Sequence, residues 1–312
     1  MSDLKKNNIL TKKAWVITLA AFCCLLWGSA FPSIKIGYKL WDIGSDDRMA
    51  QILFAGMRFF LAGILTILIG SCISRRILLP KRSSLPKIAA LSMFQTILQY
   101  IFFYLGLAGT SGTKSSIITA SNVFLAILVS AFIFRTEKMT MKKLVGTIVG
   151  FSGVLLVSLS GGSLDGGFSP TGEGFIFLSA LSYAFSASLT KKFSKNEDTV
   201  MLSGWQFVFG GAFMMAVSII FGGHIPSADL SGCGMLLYLA FVSAAAFSIW
   251  GLLLKFNPVS KISVFGFMNP VFGVILSMLL LGENGNTNIF RTLLSLLLVI
   301  GGIIIVNINT DN

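Results

Sequence analysis

Ten apolar runs, each near the 20 residues that an α-helix needs to cross a bilayer, divide the chain. They cover residues 14–34, 51–73, 88–108, 115–134, 144–160, 174–190, 200–221, 235–254, 262–281 and 289–308, with short polar stretches between them. The first run follows Lys5, Lys6, Lys12 and Lys13. It is too long for a signal h-region and continues through Trp27 and Phe31 without a small-residue cleavage site, so it is expected to remain in the mature protein. The pattern predicts an all-α integral membrane protein with ten transmembrane helices and no soluble domain.

The fourth and ninth runs belong to stretches that repeat one another. Lys114 stands eight residues before Asn122, a Val-Phe pair follows, and the apolar run ends at Glu137. Lys261 stands eight residues before Asn269, another Val-Phe pair follows, and the run ends at Glu283. The second and seventh runs also match, A-G-M-R-F-F-L-A-G around Arg58 against S-G-W-Q-F-V-F-G-G around Gln206. Trp27 and Tyr183 correspond in the first and sixth. Long-period similarity of this kind predicts a duplicated architecture. Residues 1–162 form the first five-helix repeat, 163–173 an extracytoplasmic linker, and 174–312 the second repeat.

Charge orients the repeats. The chain carries 24 Lys and Arg against 12 Asp and Glu, a net charge of +12, with 54% hydrophobic and 12% charged residues. About a quarter of a soluble chain is charged, so half that share points to a lipid environment. Eighteen of the 24 cations fall at the N-terminus and in every second loop. Such alternation places both termini in the cytoplasm by the positive-inside rule and does not form the single basic face of a nucleic-acid binder. Since each repeat has five helices, the second must enter the membrane from the opposite side.

The polar residues inside the runs are the candidates for solute contact. All acidic residues lie in loops, termini or helix ends, and intramembrane carboxylates are the usual proton relays, so a carboxylate proton pathway is not expected. Glu173 and Glu283 remain as possible titrating groups at a cavity mouth. Arg58 is the one charge well inside a run. Its functional reading is an anion-attracting or gating residue; the bland one is a structural Arg satisfied by carbonyls or snorkelling toward the nearer end. Gln95 and Gln99 stand four apart on one helical face with Tyr100 beside it, as in a polar cavity wall. Asn122 and Asn269, the latter before helix-breaking Pro270, together with Trp27, Tyr183 and Trp250, complete the predicted lining. Gly146, Gly150 and Gly153 read as close helix packing. Cys23, Cys24, Cys72 and Cys233 lack metal-ligand spacing and read as small apolar fillers, and lone His224 reads as a loop residue. No catalytic residue, metal or cofactor is expected.

The W-G-S-A-F-P stretch at 27–32, Arg58, the run ending L-G-E at Glu283 and the two five-helix repeats resemble the EamA-type branch of the drug/metabolite transporter superfamily. Gly146 and Gly153, nine and sixteen residues after Glu137, resemble the family's glycine pattern. The second half places Thr292 and Val299 at those offsets, with Gly301 and Gly302 beyond. The resemblance implies an inverted-repeat bundle in a bacterial inner membrane. It implies alternating access of a small, amino-acid-like metabolite to a central cavity, by export or facilitated diffusion. The partners are then the solute and the bilayer, with no nucleic acid. A membrane scaffold without transport, or an intramembrane enzyme with clustered His, Asp or Ser, are the alternatives.

Overall fold

A computed structural model of the chain describes residues 9–44, 46–108, 112–158, 169–224, 229–281 and 289–308, and all regular structure among them is helical. Helix α1 spans Lys13–Leu40 and α2 Arg48–Ser74. Helix α3 runs through Leu85–Leu91, a wider π turn at Ser92–Leu98, and Gln99–Ala108. Helix α4 joins Gly112–Leu128 to a π turn at Val129–Ile133, and α5 spans Met141–Ser158. Helix α6 opens on a π turn, Pro170–Gly174, and continues through Phe175–Phe193. Helices α7 and α8 span Thr199–Ile220 and Leu230–Phe256. Helix α9 is broken, with Val259–Ser263 leading through a 3-10 turn at Val264–Phe267 into Met268–Leu281; α10 spans Ile289–Asn307.

Five of these segments are long and apolar enough to cross a bilayer: Lys13–Leu40, Arg48–Ser74, Arg82–Gly106, Thr199–Ile220 and Leu230–Phe256. Ile118–Ile133 and Leu293–Asn307 are apolar but shorter. Large apolar side chains such as Phe22, Ile69, Phe209, Phe213, Leu297 and Ile304 stay exposed, as expected of surfaces that face lipid rather than water.

Local chemistry explains where the helices start and bend. Asp47, Asp198 and Asp229 each accept hydrogen bonds from the first-turn amides of α2, α7 and α8, at 2.9 Å from Ala50 N, 2.9 Å from Val200 N and 2.8 Å from Gly232 N. These carboxylates satisfy amides that have no intrahelical partner. Pro270 sits in the first turn after the 3-10 segment of α9, where its missing N–H costs least. The expected irregularity therefore falls just before Asn269. In the corresponding stretch Asn122 lies within a regular α segment, and the irregular turn comes later at Val129–Ile133.

Packing of the helices follows their small residues. The most extensive contacts join α2 to α7 and α5 to α10; α1 packs against α8 and α9, and α6 against α3 and α4. On the α2–α7 seam, a Cβ at Gly63 would lie 2.6 Å from the Gly204 carbonyl, and one at Gly56 would lie 3.0 Å from the Gly211 carbonyl. On the α5–α10 seam, a Cβ at Gly146 would lie 2.9 Å from the Gly302 carbonyl, and one at Gly153 2.8 Å from the Ser295 carbonyl. Ser295 Oγ donates to Gly153 O at 2.6 Å. Small residues thus let backbones touch, which is how helices gain van der Waals energy where lipid supplies no hydrophobic drive. Gly146 and Gly153 pack as their spacing predicted. Gly302, which breaks the offset pattern, supplies the partner backbone.

The basic loops meet at one end of the bundle. Arg76 and Asp198 pair at 2.7 Å, and Lys87 and Ser84 both bind Glu197, joining the α2–α3 loop to the α6–α7 loop. The Lys87 ammonium, first, and then the Ser84 hydroxyl hold the Glu197 carboxyl below the usual carboxylate range. Glu137 pairs with Lys143 at 2.9 Å and accepts from Ser260 N and Oγ, joining the α4–α5 loop to the start of α9. Asn257 Nδ2 donates to Leu10 O at 2.9 Å, which brings in the N-terminal segment. At the opposite end, Ser218 Oγ of α7 donates to Met49 O at the start of α2.

Cys23 and Cys24 are buried fillers as expected, donating to Ala246 O and Phe265 O. Cys72 and Cys233 are exposed instead, since both stand at helix ends outside the packed seams. His224 is an exposed loop residue as expected.

Candidate functional site

Between α3, α6, α7 and α8 lies a void of about 10 Å³, at the threshold for a single water. Gln95, Tyr183, Ser186, Thr190, Ser203 and Trp250 are among its lining. Three of the expected cavity residues, Gln95, Tyr183 and Trp250, therefore meet here. The π turn at Ser92–Leu98 makes this possible, because its wider winding re-aims Gln95 relative to the α segment that follows. π turns inside α-helices recur at functional sites for this reason. Ser186 and Thr190, four residues apart on one face of α6, were not anticipated. The run also holds Ser179, Ser182 and Ser188, so nothing in the sequence singled these two out.

Trp27 does not line the void but closes one side of it through its rings. Its indole meets Trp250 and Phe247 edge-on, each at 5.0 Å between ring centroids. From Phe247 an aromatic layer continues to Phe207 at 5.1 Å, to Phe59 at 5.3 Å and to Tyr100 at 4.4 Å. Buried Trp27 Nε1 has no hydrogen-bond partner.

Beyond this layer sits Arg58, 3% exposed. It stands ten residues into α2, about 15 Å along the axis, too deep to snorkel out. Its Nε donates to Ser243 Oγ of α8 at 2.9 Å, and its guanidinium carbon lies 5.2 Å from the Phe59 ring centre. Tyr100 packs on the same Phe59 ring and clusters with Tyr104 and Tyr38. Tyr38 and Ser243 were missed in the sequence, because neither is unusual until the fold brings it to the charge. Gln206, which matches Arg58 in the other half, accepts from Thr96 Oγ1 at 2.7 Å and braces the α3 π turn.

The remaining candidates lie apart from the void. Buried Gln99 Oε1 has no partner, while the Gln99 carbonyl accepts from Ser179 Oγ at 2.7 Å. Gln95 and Gln99 thus do not form one continuous wall. Asn122 and Asn269 are half-buried on α4 and α9 and outside the void's lining; Asn269 Oδ1 is buried without a partner. Glu173 is 6% exposed and accepts from Ser169 N at 2.7 Å at the start of α6. Glu283 lies outside the described residues. Among the described residues, no group of three or more His, Cys, Asp or Glu could hold a metal ion.

An all-helical chain with long apolar helices, glycine seams and a small polar void beside an aromatic layer belongs with multi-pass membrane transporters. Its sequence settles which: residues 14–159 and 170–308 each match the EamA-like transporter family, and the chain belongs to that family. It is similar to the uncharacterized transporter YetK of Bacillus subtilis, 26% identical with 96% of this chain and 89% of that protein covered. A chloroplastic WAT1-related protein of Arabidopsis thaliana is also 26% identical, over 86% of this chain and 64% of its own length. A solved crystal structure shares the fold with a TM-score of 0.75 at 16% identity, covering 94% of this chain and 97% of that one.

Proposed function

We propose that the protein moves a small organic metabolite across the membrane by alternating access, with ten spanning helices forming two five-helix halves of inverted topology. The observation that carries this reading is the symmetry of the packing. Exchanging each helix with the one five places along leaves the principal contacts unchanged: α2 with α7 and α5 with α10 map onto themselves, α1–α9 onto α6–α4, and α1–α8 onto α6–α3. The Arg58–Ser243 bond between α2 and α8 has its counterpart in the Gln206–Thr96 bond between α7 and α3. Halves related in this way can rock against each other and open a shared site to either side in turn.

The basic end is the cytoplasmic one in this reading, in a bacterial inner membrane, with both termini inside. Cross-links between the halves tie that end together, and the small void is a site that widens when the halves part. Acidic groups among the described residues stand outside the middle of the helices, which favours export or facilitated diffusion over strong proton coupling. In a cysteine-free background, K195C is expected to react with an impermeant thiol reagent from the cytoplasm and L230C only from outside. Reaction of both from one side would overturn the topology.

The transport reading is tested in proteoliposomes with a panel of labelled metabolites. For a solute that crosses, Q95A and Y183F are expected to lower the rate by about tenfold. Ser152→Ala, on an exposed stretch of α5, is expected to leave it unchanged. Wild-type rates in both void variants would remove the void from the pathway.

A further inference from the structure

Arg58 is a buried cation with no ion-pair partner among the described residues. A guanidinium carries five N–H donors, and the one hydrogen bond it makes among the described residues uses Nε, to Ser243. The ion pairs among those residues are Arg76–Asp198, Lys87–Glu197 and Lys143–Glu137, all at the basic end. Helices α1, α2, α3, α7 and α8 contain no Asp or Glu anywhere along their spans. What surrounds the charge is neutral: the Phe59 face, the Ser243 hydroxyl, and the Tyr100–Tyr104 pair with ring centroids 6.5 Å apart. A charge in this position is expensive to hold in a membrane. Its repeat counterpart is the neutral Gln206, equally buried, so the charge is particular to the Arg58 side of the bundle.

We propose that Arg58 is the anchor for a small organic monocarboxylate, so that the transported solute carries one net negative charge and an apolar body. The two Nη groups match a carboxylate bidentately, the geometry in which guanidinium–carboxylate bonds are strongest. The aromatic layer of Phe59, Phe207, Phe247 and Trp27 lies against the apolar body and separates the anchor from the void around Gln95. One cation with no acidic partner also discriminates by charge. A zwitterionic amino acid would bring an ammonium group for which the site has no carboxylate, so the amino-acid-like substrate expected from the family resemblance is disfavoured. This inference rests on the transport reading only for its solute; the anchor itself is a binding site.

Binding and flux therefore separate the two. Purified full-length protein in detergent is titrated with 4-hydroxybenzoate, 4-hydroxybenzamide and tyrosine, and its melting temperature followed. The benzoate is expected to stabilise the protein, and the amide and the zwitterion to have no such effect. R58Q is expected to lose the response, and R58K, which keeps the charge without the fork, to bind about tenfold more weakly. Equal responses to acid and amide, or a wild-type response in R58Q, would overturn the anchor. If R58Q does not fold, an undiminished acid affinity in R58K overturns it instead. The same panel is then followed in proteoliposomes against protein-free vesicles. Arg58-dependent acid binding without any flux would leave the anchor standing and sink transport. Flux of neutral solutes that R58Q leaves unchanged, with no acid binding, would keep transport and sink the anchor.

Discussion

Gly211→Leu is expected to abolish recovery of folded protein, the largest single effect the packing implies. Gly211 lies on α7 where it crosses α2, and a Cβ there would collide with the Phe60 amide and stand 2.7 Å from the Gly56 carbonyl. Those atoms are backbone, so no rotamer change relieves the clash; the helices themselves must part. Overpacking of a well-fitted site costs about 1–3 kcal/mol even where side chains can move. Here separation also forfeits contacts along a seam that includes Gly56, Gly63 and Gly204, and van der Waals contact is the main force between helices in lipid. G211A, with a smaller group, is expected to give a lower yield and a lower melting temperature but a folded protein. G234L is the control: Gly234 lies on α8 with nothing within 4 Å of its Cβ position, and the variant should match wild type. The readout is the monodisperse fraction on size exclusion, followed by thermal unfolding. Wild-type behaviour of G211L would mean that α2 and α7 do not pack as closely as described.

These seams show what a sequence makes legible. Lys and Arg clusters alternate with apolar runs, and that one-dimensional pattern put every second loop on one side. The fold then joined Arg76 to Asp198, Lys87 to Glu197 and Glu137 to Ser260 across those loops. Glycine spacing on α5 predicted a close contact, because small residues at helical intervals let two backbones approach. The site was less legible. Helical periodicity treats α3 as one regular rod, yet the π turn at Ser92–Leu98 changes the winding between Gln95 and Gln99, so the shared face was lost. Ser243 and Tyr38 gain meaning only beside Arg58, from helices far apart in sequence. Asn122 and Asn269 repeat faithfully, but repetition reports common descent and packing as readily as contact with a solute.

Glu137→Ala is expected to cost on the order of 3 kcal/mol, the scale for removing one partner of a buried ion pair. Glu137 and Lys143 are about equally covered, with 8% and 9% of their side chains exposed. Loss of the carboxylate leaves Lys143 Nζ with only the Lys138 carbonyl, at 2.9 Å. It also removes the acceptor for Ser260 N. That amide is in the first turn of Val259–Ser263, whose N-cap is Pro258 and offers no side-chain acceptor. Glu137 therefore acts as a helix cap delivered from another loop, favoured as well by the positive end of the helix. In a chain of this size the loss should read as a melting temperature lower by about 5–8 °C. The double variant E137M/K143M tests the cause, since replacing both partners with apolar groups removes the stranded ammonium. It is expected to recover part of the loss but not the capping bond, so the two substitutions should be non-additive in a thermodynamic cycle. A double variant as unstable as the sum of its parts would show that the pair is not coupled. The tie would then stabilise the α4–α5 loop through Ser260 alone.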